Sequence, residues 1–177
     1  FGLNRDAGMR WTRMTIPWAE IEPQPGRFAW DPPATAAGVR GRALVCRGGA
    51  AAFTVPYQDA LGLRSGMTLS LWLDAQRPNS HWQSPIFRAP SDGRRSYGVY
   101  LGRGTGNVSF TGAFEGSQNP FEDRVCEWSA WEKGWHHIAV TYDAGSGDMR
   151  FLVDGVESAL ISGEPRPLND IKTPLYL

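Results

Sequence analysis

The strongest constraint on the fold is an alternation of apolar and polar residues between positions 67 and 74. Met67, Leu69, Leu71 and Leu73 occupy every second position of this segment. Successive side chains of a β-strand point to opposite faces, so this spacing places the four apolar side chains on one face. The segment is therefore predicted to be a strand whose apolar face covers a core.

Short segments of the same character recur along the chain, separated by turn residues. Gly48-Gly49 is expected to join two of them as a hairpin, and Asp154-Gly155 favours a two-residue hairpin turn between two others. No segment after residue 38 supports a long amphipathic helix, and residues 59–63 allow one helical turn at most. The pattern predicts an all-β fold, a two-sheet antiparallel β-sandwich or jelly roll. The predicted strands are residues 42–46, 51–55, 67–74, 84–88, 96–101, 107–114, 135–142, 149–153, 156–160 and 175–177.

The charge and hydropathy of the chain limit the partners that it can bind. Eighteen Lys and Arg residues balance 18 Asp and Glu residues, so there is no basic surplus of the kind that binds nucleic acid. No apolar run approaches the ~20 residues of a membrane span. Nucleic acid and a membrane span are therefore not expected.

The two cysteines, Cys46 and Cys126, leave two alternatives open. They could form one disulfide in an oxidising compartment, or each could be a small buried side chain. Cys46 alternates with Leu44 in a strand-like run, which favours a core position for it. A structural zinc site needs four ligands at close spacing, so two isolated cysteines do not indicate one.

The composition changes near residue 32 and suggests a division of the chain. Residues 1–31 contain one strand-like segment, which ends at Pro17 because proline has no N–H to donate to a sheet. Residues 32–37, two prolines followed by small residues, are typical of a linker. The sandwich is predicted to occupy residues 38–177.

Four sequence blocks within residues 38–177 resemble the laminin G-like, concanavalin A-like jelly roll. The blocks occur in the order and near the spacing of that family, and the third, followed by Val-Asp-Gly, is the most specific. Members of the family usually continue past a segment like residues 174–177 into a last strand. One alternative is therefore a sandwich in which this last strand is missing. The blocks are Ala43-Leu44 with Gly48-Gly49 and Phe53-Thr-Val-Pro56, Met67-Thr-Leu-Ser-Leu-Trp-Leu73, Gly134-Trp-His-His-Ile-Ala-Val-Thr-Tyr-Asp143, and Phe151-Leu-Val-Asp-Gly-Val156.

The N-terminal segment resembles a different family. Met9–Asp31 is similar to the first strand and following loop of the (β/α)₈ barrel in retaining glycoside hydrolases, and the recurring pattern of that family is matched by Trp18-Ala-Glu-Ile-Glu-Pro-Gln-Pro-Gly-Arg-Phe-Ala-Trp30. This resemblance implies that the sandwich interrupts the barrel of a larger secreted or cell-surface enzyme. The catalytic carboxylates of that family come from later strands, so we expect Glu20 and Glu22 to form loop hydrogen bonds or ion pairs, with no catalytic residue in this chain.

The resemblance to laminin G-like domains implies Ca²⁺ as a possible ligand, because many such domains bind it with loop oxygens. The candidate ligands are Asp59, Asp92, Asp143 and Asp148. No EF-hand spacing is present, and most loop aspartates cap turns instead. No cofactor is otherwise required.

His136 and His137 resemble a pair of metal ligands but are unsuited to binding one ion. They are adjacent in a predicted strand, so their side chains are expected on opposite faces of the sheet. We expect both to be packing residues with one hydrogen-bonded ring nitrogen.

Aromatic residues outside the recognised strands are the main indication of function. Sugar rings present apolar C–H faces flanked by hydroxyls, so saccharide sites pair an aromatic surface with a few polar side chains. Trp72 and Trp135 lie in the strand blocks and are expected to be structural, and a loop tryptophan can also belong to the core. The candidates for carbohydrate binding are Trp82, Trp128 and Trp131, with Tyr97, Tyr100, Arg95 and Glu115 as secondary candidates.

These observations predict a non-catalytic carbohydrate-binding module of a larger secreted glycoside hydrolase. Its expected partners are a poly- or oligosaccharide and the remainder of the parent enzyme. The alternative is a protein-interaction or adhesion module of an extracellular multidomain protein, because the same fold serves both roles.

Overall fold

The computed structural model describes residues 35–45, 53–75, 81–90, 93–131 and 133–177. The described residues form twelve β-strands and one 3-10 turn, Asp59–Leu61, which confirms the predicted all-β class. The strands are β1 Thr35–Ala37, β2 Arg42–Leu44, β3 Thr54–Val55, β4 Gly66–Leu73, β5 Gln83–Arg88, β6 Tyr97–Leu101, β7 Asn107–Gly112, β8 Glu122–Ser129, β9 His136–Asp143, β10 Met149–Val153, β11 Val156–Ile161 and β12 Leu175–Tyr176.

Two antiparallel sheets form the sandwich. One sheet has four strands in the order β11-β10-β9-β4, and the other has six in the order β3-β12-β5-β6-β7-β8. The late strand β12 lies between β3 and β5, and Phe53 and Leu177 exchange backbone hydrogen bonds of 3.1 and 2.9 Å beside it. The six-stranded sheet thus joins residues from both ends of the predicted sandwich.

The core lies between the inner faces of the two sheets. The predicted alternation in β4 is confirmed, because Met67 and Leu69 are buried and Ser70 is exposed. Val140 from the four-stranded sheet and Phe110 from the six-stranded sheet are fully buried in the same apolar cluster. Complete burial of such a side chain contributes about 1.5–3 kcal/mol, so this cluster is the main stabilising feature of the fold.

Arg88 at the end of β5 is the largest fully buried side chain. Its guanidinium connects β5 to the segment that follows β11 and to the 3-10 turn. Because every nitrogen of the group donates a hydrogen bond, the buried charge is compensated. The acceptors are Thr173 O at 3.1 Å, Leu61 O at 2.6 Å, Ser96 Oγ at 3.3 Å, Asp170 Oδ1 at 2.9 Å and Ile171 O at 2.9 Å.

The structure differs from the sequence prediction around the proposed linker. Residues 35–37, assigned to the linker, form β1, and β1 pairs with β2 through a turn in which Gly38 N–H donates to Gly41 O. Gly41 has φ 71°, a conformation that glycine adopts without steric cost. The described parts of the two strands predicted to form a hairpin have other partners, because β2 pairs with β1 and β3 pairs with β12. Residues 1–34 and Gly48-Gly49 lie outside the described residues.

Strand β8 was not predicted from the sequence. Its inward positions include polar side chains, which hide the alternation: Glu122 accepts two hydrogen bonds of 2.9 Å from Arg166. Cys126 in the same strand is buried with a free thiol, and its sulfur lies 3.5 Å from Ser158 Oγ. This position agrees with the alternative of a small buried side chain, and Cys46 lies outside the described residues.

Candidate functional site

Trp82 is the most exposed aromatic side chain in the described part of the chain. It lies directly before β5 and keeps 57% of its surface accessible. Its ring centroid is 6.4 Å from that of Tyr100, and the two rings meet edge to face at 82°. Such a contact is favourable for aromatic pairs, and it orients the indole while leaving it open to solvent.

Tyr100 is an outward-facing residue of β6. Its neighbours Val99 and Leu101 point into the core, so the alternation of the strand directs the phenol to the outer face of the six-stranded sheet. Phe87 on β5 packs against it with ring centroids 5.3 Å apart. Partial burial raises the pKa of Tyr100, although a hydrogen bond with Ser84 opposes this effect.

Arg95 covers the other side of this aromatic group. Its guanidinium carbon lies 5.1 Å from the centroid of Tyr100 and 3.5 Å from that of Phe121, which is cation–π geometry. Nη1 donates to Thr111 Oγ1 at 2.7 Å and lies 3.5 Å from Asp123 Oδ1. These contacts fix the cation beside the aromatic rings.

The outer face of the six-stranded sheet therefore carries one connected group of aromatic and polar side chains. We call this group the Trp82 surface and define it as Trp82, Phe87, Tyr100, Arg95 and Phe121. The sequence prediction included Trp82, Tyr100 and Arg95 and missed the two phenylalanines. Alternation along β5 could have identified Phe87: its neighbours Ile86 and Arg88 face inward, so Phe87 between them faces outward.

Two predicted tryptophans lie elsewhere. Trp128 was expected outside the strands but belongs to β8, where it packs on the core with its ring centroid 5.1 Å from that of His136. Trp131 also packs on the core and covers Gly106, at which an added Cβ would lie 2.5 Å from the indole. Its Nε1 is buried without a hydrogen-bond partner. Neither indole joins the Trp82 surface.

Two secondary candidates also lie apart from this surface. Tyr97 is 2% exposed and points into the core, where its hydroxyl donates to Leu61 O at 3.1 Å. Glu115 forms an ion pair with Arg64. Arg64 lines an open cavity of about 660 Å³ whose described border is mostly polar and charged side chains, with Ala113, Pro120 and Ile171 and no aromatic ring.

The aspartates proposed as calcium ligands occupy turns. Asp59 Oδ1 accepts a hydrogen bond from Tyr57, Asp143 Oδ1 accepts one from Gly145 N–H at 2.8 Å, and Asp148 Oδ1 accepts one from Ser162. Within residues 35–45, 53–75, 81–90, 93–131 and 133–177, no three metal-ligating side chains come together. Asp92 lies outside the described residues, and calcium binding stays a prediction.

The two histidines lie on opposite faces of β9, as predicted. His136 packs inward, and its Nδ1 lies 2.8 Å from Asp154 Oδ2. This contact and the His137 N–H bond hold the pKa of the Asp154 carboxyl below its usual range. His137 faces outward, and its Nε2 lies 2.7 Å from Ser70 Oγ.

The two antiparallel sheets, packed face to face around one apolar core, define the class of the molecule as a jelly-roll β-sandwich. A laminin G family model, described as the concanavalin A-like lectin/glucanases superfamily, matches residues 47–177. The chain belongs to this superfamily.

Comparison with solved structures finds mouse laminin alpha1 chain, domains LG4-5, with 17% sequence identity and a TM-score of 0.49. The match covers 70% of this chain and 30% of that chain, so the sequence spans less than a third of this relative. No curated protein matches the chain. In the part of the chain that the structure describes, no helix is long and apolar enough to cross a membrane.

Proposed function

We propose that the sandwich is a non-catalytic carbohydrate-binding module and that the Trp82 surface is its binding face. The observation that carries this proposal is the exposure of Trp82 in an orientation held by Tyr100. An indole that is more than half exposed forgoes the stabilisation that burial would give it, so its position favours a role in binding.

The chemistry of the Trp82 surface suits a sugar ring. The indole provides an apolar face for the C–H groups of a pyranose, and hydroxyl groups need polar partners at its edge. Arg95 is a donor, Asp123 is an acceptor, and Thr111 lies within the same hydrogen-bonded group. Because Arg95 is already oriented by these contacts, little side-chain entropy remains to be lost on binding.

Affinity electrophoresis and a glycan array test the proposal. Trp82→Ala should weaken binding about 5- to 150-fold, because a stacked aromatic ring contributes about 1–3 kcal/mol in comparable planar stacking. Tyr100→Ala should weaken it less, since that residue supports the indole. Leu160→Ala, which removes an exposed apolar side chain from the other sheet, is the control and should bind like the wild type. Unchanged binding by Trp82→Ala, or no glycan bound by the wild type, would refute the assignment.

We further propose that the module belongs to a larger secreted glycoside hydrolase. The support is the resemblance of Met9–Asp31 to the first strand and following loop of a retaining glycoside hydrolase barrel. The test is the sequence of the complete gene, which should encode further barrel strands after residue 177. A parent protein that ends near residue 200 would contradict this part of the proposal and leave the binding module unaffected.

A protein-interaction module is the second candidate, because exposed tryptophan and arginine side chains are also enriched at the centres of protein interfaces. Trp82 and Arg95 are both present in the Trp82 surface. A purified protein partner whose binding is lost in Trp82→Ala, together with an empty glycan array, would favour this candidate over the saccharide.

A further inference from the structure

The outer face of the four-stranded sheet carries a second exposed tryptophan. Trp72 is the outward residue near the end of β4 and remains 50% exposed, although it was expected to be structural. The outer faces of the two sheets of a sandwich point away from each other, and the sheets themselves lie about 10 Å apart. Trp72 and the Trp82 surface are therefore on opposite sides of the domain.

The orientation of Trp72 is set by the neighbouring strand. Trp72 pairs with His137 in the register of β4 and β9, and their ring centroids lie 5.2 Å apart at an interplanar angle of 54°. His137 is itself held in place, because its ring Nε2 lies 2.7 Å from Ser70 Oγ and its backbone N–H donates to Asp154 Oδ1 at 2.8 Å. One side of the indole is supported by an anchored imidazole while half of its surface stays open.

Hydroxyl side chains continue from Trp72 along the same face. Ser70 and Thr68 follow at alternate positions of β4, and Thr68 pairs across the sheet with Thr141 of β9. Their side chains share the face of Trp72 because a strand repeats every two residues. A ring that stacks on the indole would thus meet hydroxyl donors and acceptors in the direction of the strand.

The spacing of the apolar side chains argues against a protein as the main occupant. The other large exposed apolar side chain on this face is Leu160 of β11, which is level with Thr68 in the register. β11 is three strands from β4, about 14 Å away, and Trp72 is displaced about 13 Å along the strand. The two side chains are therefore about 19 Å apart, and the apolar side chains between them, Ala139 and Leu152, are buried or only partly exposed. They do not form the continuous apolar centre of a protein interface.

The charges on this face favour an uncharged ligand. Arg150 forms an ion pair with Glu157, and the Asp154 carboxylate accepts a hydrogen bond from the backbone N–H of His137. An exposed ion pair of this kind gives little net attraction for an anion or a cation. A neutral saccharide satisfies both the stacking surface and the hydroxyl row.

We propose that Trp72, with His137 and the hydroxyls of Ser70 and Thr68, forms a second saccharide-binding platform that takes neutral oligosaccharides. The inference rests on the proposed function of the domain and adds a site on its opposite side. Because the two platforms face away from each other, one short oligosaccharide cannot occupy both. The domain would bind two saccharide chains, or two stretches of one long chain, and gain avidity on a polysaccharide.

Fluorine NMR of the protein labelled with 5-fluorotryptophan tests the inference. Trp72→Phe and Trp82→Phe variants assign the two resonances, and the probes are neutral gluco-, xylo- and mannohexaoses. Addition of a binding hexaose should shift the Trp72 resonance in both the wild type and Trp82→Ala. Trp72→Ala should lower the affinity for the hexaose at this site at least tenfold. Ser70→Ala should lower it severalfold, because the hydrogen bond between Ser70 and the His137 ring is lost. Leu160→Ala on the same face should leave it unchanged.

The possible outcomes separate the inference from the proposed function. A shift confined to Trp82, abolished in Trp82→Ala, overturns the second platform and leaves the proposed function intact. A shift confined to Trp72 supports the platform and overturns the assignment of the Trp82 surface. No shift of either resonance with any hexaose overturns both. Circular dichroism of Trp72→Ala, whose side chain is half exposed, checks that the fold is retained.

Discussion

Replacing Arg88 with methionine should strongly destabilise the sandwich. Methionine preserves much of the side-chain length but removes the guanidinium, which is fully buried. Asp170, with only 18% of its side chain exposed, would then lose its cationic partner, and the carbonyls of Ile171 and Thr173 would lose a donor. Breaking a buried pair by removing one partner costs about 3–5 kcal/mol, because the remaining charge is left uncompensated.

This cost is a large part of the total stability of a domain, which is about 5–15 kcal/mol. For a domain of this size, 1 kcal/mol corresponds to about 2–4 °C in Tm, so Arg88→Met should melt about 6–20 °C below the wild type. Urea unfolding followed by tryptophan fluorescence measures the same loss as a lower midpoint with an unchanged slope.

Arg150→Met is the matched control. Arg150 is also an arginine in an ion pair, with Glu157, but both side chains are nearly half exposed. Exposed pairs contribute about 0–1 kcal/mol, so this variant should stay within about 1 kcal/mol of the wild type. Equal losses in the two variants, or a loss below 1 kcal/mol in Arg88→Met, would show that burial of the guanidinium does not determine its contribution.

Two further predictions concern the end of the sandwich near Trp131 and the acid stability of the fold. Gly106→Ala should destabilise the domain by about 1–3 kcal/mol, because the added Cβ would lie 2.5 Å from Trp131 at a φ of 71°. Gly104→Ala, at φ 74° with no atom within 4 Å, should cost clearly less in the same thermal denaturation assay, and equal costs would exclude the steric argument. The hydrogen bonds from Arg166 lower the pKa of Glu122, so its stabilising effect should be present above the pKa of the unfolded state, about 4.3, and be lost as pH falls through the lower folded pKa. The stability difference between wild type and Glu122→Gln should therefore shrink below about pH 4 in urea titrations, and a difference that is constant from pH 6 to 3 would contradict this.

The sequence was sufficient for the strands that have one clearly apolar face. β4 was predicted from alternation alone, and the turn at Asp154-Gly155 is confirmed by positive φ values of 50° and 83°. β8 was missed because inward positions such as Glu122 are polar and are satisfied by a distant residue, Arg166. The pairing of β12 with β3 and β5 joins segments that are far apart in the sequence, Tyr176 with Thr54 and with Phe87, which local periodicity cannot indicate.

The candidate site was predictable only in part, because it too depends on contacts between distant segments. Trp82 was recognised as a residue outside the strands, but separating it from Trp128 requires knowledge of β8. The alternation of β4 places Trp72 and Leu71 on opposite faces of the sheet. It does not reveal whether other residues cover the outer face, on which Trp72 lies. Whether an aromatic side chain is buried or exposed depends on its contacts with residues that are distant in the sequence.

The hydrogen bonds between Phe53 and Leu177 have a consequence for how the domain can be joined to other domains. The polypeptide enters the six-stranded sheet at β3 and leaves it after β12 at adjacent points, because these two strands are neighbours. A unit whose two connections lie side by side can occupy a surface loop of a host protein without forcing the host's ends apart. The same hydrogen bonds would transmit any pull on the two connections directly into the sheet edge, making β3 and β12 the first strands to separate under tension.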